Sequence, residues 1–498
     1  MLFNSLTFVI FFLLTFVIYY LPQSRQIQVP ILIIASFIFY AWANPKLLFL
    51  LLVSILINAI TSYQVDRTAN PKPRLIWAIT GVTANLLILG LFKYGKLFTE
   101  LFLNLANVSD LPNQGIIPLL LQIPLPIGIS FYTFQGISLV IDVLREQKAG
   151  EQKEVSVEET DFLNYLFKTS FFISFFPQLI AGPIVKAHDF YPQIKTKYFA
   201  DINWEIVFRS LVIGYFLKMV IADNLKDYTY WINYPYFQGL ASVTMLVLLF
   251  GYSMQIFADF AGYSLIAIGL GAALGYNLPD NFHFPYIARS LSEFWRRWHI
   301  SLSTWLGTYL YIPLGGNKKG KVRTYVNLMI VMTLGGLWHG ASWSYAVWGI
   351  YHGIGLAAER FLGLNKSAPP NAELKPNLGQ FLLDSIKVLT VFSFVTFGWL
   401  LFQLPRFEHA VFFLVTLLKN TDVQLQLIYI IPTLIYALPV IIYHLPYFPT
   451  FNKYIGETMP AEKKARRGGI WQDLALGIML VGILLNSGQS NAFIYFQF

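Results

Sequence analysis

Residues 6–21 read LTFVIFFLLTFVIYYL, an apolar run with no charged side chain. A soluble helix alternates such residues with polar ones on its outer face, and this stretch has no polar face to offer water. Its length approaches the roughly 20 mainly apolar residues needed to cross a bilayer. It has no basic stretch ahead of it and no small-residue cleavage site before Pro22, so it reads as a retained helix and not a signal peptide. The pattern recurs along the chain at Ile27–Trp42, Leu47–Ile60, Leu75–Phe92, Val207–Ile221 and Val243–Phe257. It continues at Val326–Trp338, Ala341–Leu362, Phe381–Phe402, Leu427–His444 and Ile470–Leu485. These runs do not alternate as barrel strands would, and in hydrocarbon a lone segment must satisfy its own backbone, so they are read as helices. The expectation is an all-α polytopic membrane protein with roughly ten to twelve crossings.

Composition supports this reading. Of 498 residues, 56% are hydrophobic and 12% charged, and mean hydropathy is +0.55. Soluble domains carry about 25% charged residues, so this chain could not clothe a globule of its length. There is no cysteine, which excludes disulfides, thiolate metal sites and a cysteine nucleophile. The net charge of +9 is concentrated in loops: Arg67, Lys72 and Arg74; Lys318, Lys319, Lys321 and Arg323; Lys463, Lys464, Arg466 and Arg467. By the positive-inside rule these loops face the cytoplasm, and the N-terminus then lies outside. Topology alone explains the charge excess, and nucleic acid is not an expected partner. The second cluster has a sharper reading too, as a dock for an anionic acyl donor.

The chain has no evident internal repeat, which weighs against many transporter folds. It reads as one membrane domain, with N-terminal spans over 1–113, a catalytic core over 114–360 and C-terminal spans over 361–498. Glu146–Asp161 is a mixed-charge stretch and Asn365–Asn377 a polar linker. The core differs from its flanks. Pro118, Pro124, Pro126, Gly128 and Gly136 interrupt the apolar run between Gly115 and Val143, and Phe176-Pro-Gln-Leu-Ile-Ala-Gly-Pro183 repeats the theme. Broken helix at membrane depth is tolerated where it is buried in protein or lines a cavity. Asn281–Gly316 is aromatic, basic and amphipathic, the type of segment that lies in the interface plane. Re-entrant and horizontal helices around a polar centre are therefore expected.

Of seven histidines, His188, His283, His409 and His444 lie near predicted segment ends, where an interfacial side chain is unremarkable. His339 stands in Gly335-Gly-Leu-Trp-His-Gly-Ala-Ser-Trp343, an ionisable residue among small ones within an apolar segment. Two readings remain open on the residues alone: a functional base, or an interhelical hydrogen bond. His299, in Trp295-Arg-Arg-Trp-His299, divides between a functional and an interfacial reading, and His352 between cavity and packing. Asp259 must be paired or near water. Trp338, Ser342 and Asp259 are candidate cavity-lining residues, and Arg296, Arg297, Lys318 and Lys319 candidate donor contacts. Zinc-protease, nucleophile-elbow and phosphate-loop motifs are absent, and so is the His-x-x-x-x-Asp pair of soluble-type acyltransferases. Gly269–Gly275 has the wrong spacing for a dinucleotide site and reads as helix packing. A lone histidine base without a protein nucleophile suits direct transfer from an activated thioester to a hydroxyl.

Across most of its length the sequence resembles the membrane-bound O-acyltransferases, in the bacterial branch of alginate O-acetylation proteins and D-alanyl-lipoteichoic-acid transferases. The resemblance is carried by Met1–Ser5, Pro126–Gln135, Phe176–Pro183, Phe294–Trp305, Tyr309–Gly316 and Gly335–Trp343. It implies that His339 and His299 are the catalytic histidines. It also implies a ring of transmembrane helices around a thinner centre, with a funnel to His339. The donor, acetyl-coenzyme A or another acyl thioester, would arrive from the cytoplasm, and the acceptor from outside. No bound cofactor or metal is implied. The expected activity is O-acetylation of an exported or cell-envelope polysaccharide at the inner membrane, with D-alanyl transfer from a carrier protein as its variant. A periplasmic acetyltransferase partner could complete the transfer. A non-enzymatic transporter is the reading of a different class.

Overall fold

The computed structural model describes residues 1–42, 44–105, 126–149, 161–180, 182–364, 378–448, 461–489 and 491. Pro118, Pro124, Ala181, most of the mixed-charge stretch, the 365–377 linker and the expected boundary at 113/114 lie outside these residues. The chain divides into two compact units, Met1–Val207 with Ala267–Pro279, and Phe208–Ile266 with the chain from Asp280 onward. Every regular element among the described residues is helical.

The first unit contains α1 (Leu6–Tyr20), α2 (Gln28–Ala41), α3 (Pro45–Arg67), α4 (Pro71–Leu89), α5 (Gly95–Leu105), α6 (Ile129–Ala149) and α7 (Phe162–Ser174). Local sequence sets where α3 and α4 begin. Asn44-Pro45 and Asn70-Pro71 place an amide side chain at the N-cap and proline in the first turn, and each asparagine accepts from the N–H two residues on. A wide π turn at Gly90–Tyr94 joins α4 to α5. Leu14 and Val17 of α1 are 60% and 58% exposed, a surface that requires an apolar solvent. The two interrupted stretches meet in this unit. Gly128 has φ +80°, and a Cβ there would stand 2.8 Å from the Leu179 carbonyl oxygen. The irregular backbone is satisfied by side chains: Tyr40 Oη donates to Ile127 O (3.0 Å) and Phe176 N donates to Ser36 Oγ (3.1 Å).

The second unit is built from α8 (Trp204–Tyr215), α9 (Asp223–Thr229), α10 (Ser242–Ala273), α11 (Leu291–Arg297), α12 (Ile300–Leu306), α13 (Lys321–His339), α14 (Trp343–Phe361), α15 (Leu378–Gln403), α16 (Phe407–Lys419), α17 (Leu427–His444) and α18 (Ala461–Leu485). The last turns of α10 belong to the first unit. Helices α13 and α14 form a hairpin that depends on glycine. A Cβ on Gly336 would lie 2.2 Å from Tyr345 O, and one on Gly349 2.3 Å from Met332 O. Close backbone approach through small residues is how apolar helices gain packing contact where no hydrophobic force separates protein from solvent.

Six helices among the described residues are long and apolar enough to cross a membrane: Pro22–Ala41, Pro45–Arg67, Pro71–Leu103, Ser242–Ala273, Leu378–Gln403 and Leu427–Tyr447. Leu6–Tyr20 and Gly469–Leu485 are apolar but shorter. The runs expected at Val326–Trp338 and Ala341–Leu362 are helical, in α13 and α14, without reaching that criterion. The protein is a multi-pass membrane protein. The expected core boundary at 360/361 falls at the end of α14.

Candidate active site

His339 is the last residue of α13. The chain turns back in three residues: Gly340 is extended, and Ser342 caps α14 by accepting from Ser344 N (3.4 Å). A Cβ on Gly340 would fall 2.3 Å from the Tyr345 ring, so glycine is what allows the tight turn beside the imidazole. His339 is 4% exposed. Its ring stands between Trp338 (centroids 5.1 Å), Trp348 (5.2 Å, perpendicular) and Phe402 (5.3 Å).

His299 joins α11 to α12 and is fully buried. Its φ of +43° is left-handed, a conformation that costs a non-glycine residue about 1–2 kcal/mol and that clusters at functional sites. Phe260 of α10 meets the ring edge-on at 4.6 Å and Trp338 at 5.7 Å. The two imidazole centroids are 6.4 Å apart. That separation puts their nitrogens beyond direct hydrogen-bond reach of about 3 Å. Thus two histidines forty positions apart in sequence share one aromatic enclosure.

Asn281, which sequence reading did not single out, holds His299. Its Oδ1 lies 3.2 Å from His299 Nδ1, 2.7 Å from Ser301 Oγ and 3.3 Å from Ser301 N. Its Nδ2 donates to Ser264 Oγ (3.0 Å), and its main-chain oxygen accepts from Ile300 N (2.9 Å). The only sequence signal was an asparagine at the head of the aromatic segment, where such a residue reads as a turn former.

Asp259 is buried on α10 and pairs with Lys218 Nζ at 2.7 Å, while the same ammonium reaches Asp223 at 2.7 Å. Lys218 sits in the π turn Phe216–Ala222 that leads into α9. The three groups help line a cavity of about 550 Å³, whose other polar residues include Gln255, Ser342, Tyr345 and Gln403. His339, His299 and Trp338 are not in that lining. The cavity reaches the residues beside them: Ala341, Ser342 and Tyr345 follow His339, and Asp259 precedes Phe260.

The candidate donor contacts lie elsewhere. Arg296 is exposed, and Arg297 is paired with Glu293 at 2.6 Å. Lys318 and Lys319 are exposed on the turn before α13, which Asn327 holds by donating to Gly316 O (3.0 Å). His339 ends the same 19-residue helix, so the basic turn and the imidazole lie about 28 Å apart along it.

A model of the membrane-bound O-acyltransferase family matches residues 119–382. The chain belongs to that family. It is an O-acyltransferase, and its family implies an acyl donor. Among its relatives, a probable alginate O-acetylase of Pseudomonas syringae pv. tomato is 38% identical over 409 residues, 81% of this chain and 72% of the relative. A peptidoglycan O-acetyltransferase of Helicobacter pylori is 36% identical over 395 residues, 76% and 71%. A teichoic acid D-alanyltransferase of Bacillus subtilis is 28% identical over 294 residues, 57% and 70%.

Proposed function

We propose that this acyltransferase moves an acetyl group from a cytoplasmic thioester, acetyl-coenzyme A, to a hydroxyl of an exported or cell-envelope polysaccharide, with His339 as general base. The observation that carries the reading is the enclosure shared by His339 and His299 beside a cavity walled by hydrogen-bonding side chains. The acetyl reading is favoured over D-alanyl by similarity: the O-acetylating relatives match at 35–38% over three quarters or more of the chain, the D-alanyl relatives at 28–29% over 56–57%.

In the transfer, the acceptor O–H bond breaks as the oxygen attacks the thioester carbonyl. His339 receives the proton, the C–S bond breaks, and the proton passes to the departing thiolate. With no cysteine in the chain, no enzyme thioester forms on the way. The positive-inside rule puts the Lys318–Arg323 turn in the cytoplasm. The cavity beside Ser342 then belongs to the opposite end of α13, where an external hydroxyl acceptor would enter. The basic turn would meet the donor's anionic far end and steer it, an effect that salt weakens. The chain would reside in the inner membrane and could hand its acetyl group to a periplasmic transferase.

Purified protein in liposomes, given acetyl-coenzyme A labelled in the acetyl group and envelope polysaccharide, should place label on the polymer as base-labile ester. Label transfer only from a D-alanyl carrier protein would overturn the acetyl reading. Release of neither thiol nor label from folded protein with any acceptor would overturn the assignment of this reaction altogether.

A further inference from the structure

The environment of Asn281 fixes more than a hydrogen bond. A main-chain N–H can only donate, so the side-chain atom facing Ser301 N is oxygen. The nitrogen on the other side then faces Ser264 Oγ, which can accept. With oxygen so placed, His299 Nδ1 beside it must carry a hydrogen. A neutral imidazole has one N–H, so Nε2 holds the lone pair. Nε2 is buried and has no hydrogen-bond partner among the described residues. Asn281 also binds the left-handed turn through Ile300 N, so it holds ring and backbone together.

We propose that Asn281 is a positioning residue that locks His299 as the Nδ1–H tautomer, so that its Nε2 accepts a hydrogen bond at the acyl-transfer centre and does not donate one. This rests on the acyl-transfer reading of the histidine pair. It divides the labour at the site. A tetrahedral oxyanion is stabilised by donors, and an Nε2 lone pair cannot serve it. His299 instead faces the hydroxyl side of the reaction, taking a hydrogen bond from a neighbouring hydroxyl of the acceptor while His339 takes the proton of the attacking one.

The test combines nitrogen-15 NMR of histidine-labelled protein, with His299→Ala to assign the signal, and steady-state thiol release. Wild type should show a protonated Nδ1 and a bare Nε2 at His299. Asn281→Asp keeps an oxygen facing all three donors, with Ser264 Oγ turning to donate, and should keep the tautomer and most of kcat. Asn281→Ala should mix the tautomers and lower kcat by about 10²-fold, the scale on which loss of an orienting partner acts, with donor KM unchanged. A protonated Nε2 in wild type overturns the proposal, and so does full kcat in Asn281→Ala. If Asn281→Ala does not fold, the wild-type spectrum and Asn281→Asp decide, and a folded Asn281→Asp as slow as His299→Ala counts against it. The spectrum reads the tautomer whether or not thiol is released, so failure of the acyl-transfer reading remains a separate result.

Discussion

Asn58 and Asn85, in the seam between α3 and α4, exchange amide hydrogen bonds of 3.2 and 2.8 Å. Each also donates to a carbonyl one turn back in its own helix, Ser54 O and Gly81 O. Asn281 and His299 are just as deeply buried, yet their contact leaves a ring nitrogen with no partner among the described residues. The first pair is closed, with amide hydrogens and oxygens consumed within it and in the helices it joins. The second is open at one atom. A buried polar atom left bare costs about 1–3 kcal/mol, and on the proposed reading that cost is set against chemistry.

The comparison breaks most sharply at the open site. His339→Ala should lower kcat for thiol release by about 10²–10⁴-fold, the usual contribution of a positioned base, with its elution profile and helical content unchanged. A substitution at His352 sharpens it. Both ring nitrogens of His352 lack a partner among the described residues, but Trp295, Trp348 and Phe394 surround the ring at 4.8–5.6 Å. His352→Phe should therefore keep kcat within about threefold, because apolar replacement of unpaired polar atoms is nearly neutral.

Much of the fold could be read in advance, because bilayer length and composition determine an apolar helix locally. The Asn-Pro starts of α3 and α4 and the breaks at Gly128 and Pro177 are local in the same sense. What a run buries is not local. Pro71–Leu103 and Ser242–Ala273 are both apolar enough to span, yet 22% of the most apolar stretch of the first is buried and 94% of that of the second. The buried helix carries Gln255, Asp259 and Ser264 to the site. His339 and Asp259 were visible as ionisable groups in apolar runs, whereas Lys218 as the partner of Asp259 and Asn281 as the partner of His299 exist only once distant segments meet. His444 drew an interfacial expectation from its place at a segment end. It is buried instead, with Nδ1 2.8 Å from Val440 O and its ring against Phe257 and Tyr286. Its helix continues into a further turn at Leu445–Tyr447.

The remaining predictions have smaller effects. Gly336→Ala forces a Cβ onto Tyr345 O and should cost about 1–3 kcal/mol in a detergent unfolding titration, lowering activity because α13 carries His339. Asn58→Leu removes the donor to Asn85 Oδ1 and should cost about 1–2 kcal/mol, while kcat of the folded fraction stays at the wild-type value. Lys318→Ala with Lys319→Ala should raise donor KM a few-fold at low ionic strength. That difference should vanish near 1 M salt, where the screening length is about 3 Å.

The most direct measurement of the central claim is single-turnover thiol release from acetyl-coenzyme A by folded His339→Ala, with acceptor present, before and after addition of imidazole. The account predicts background release that free imidazole raises in proportion to its unprotonated fraction. Wild-type release from the variant without imidazole would contradict a base at position 339.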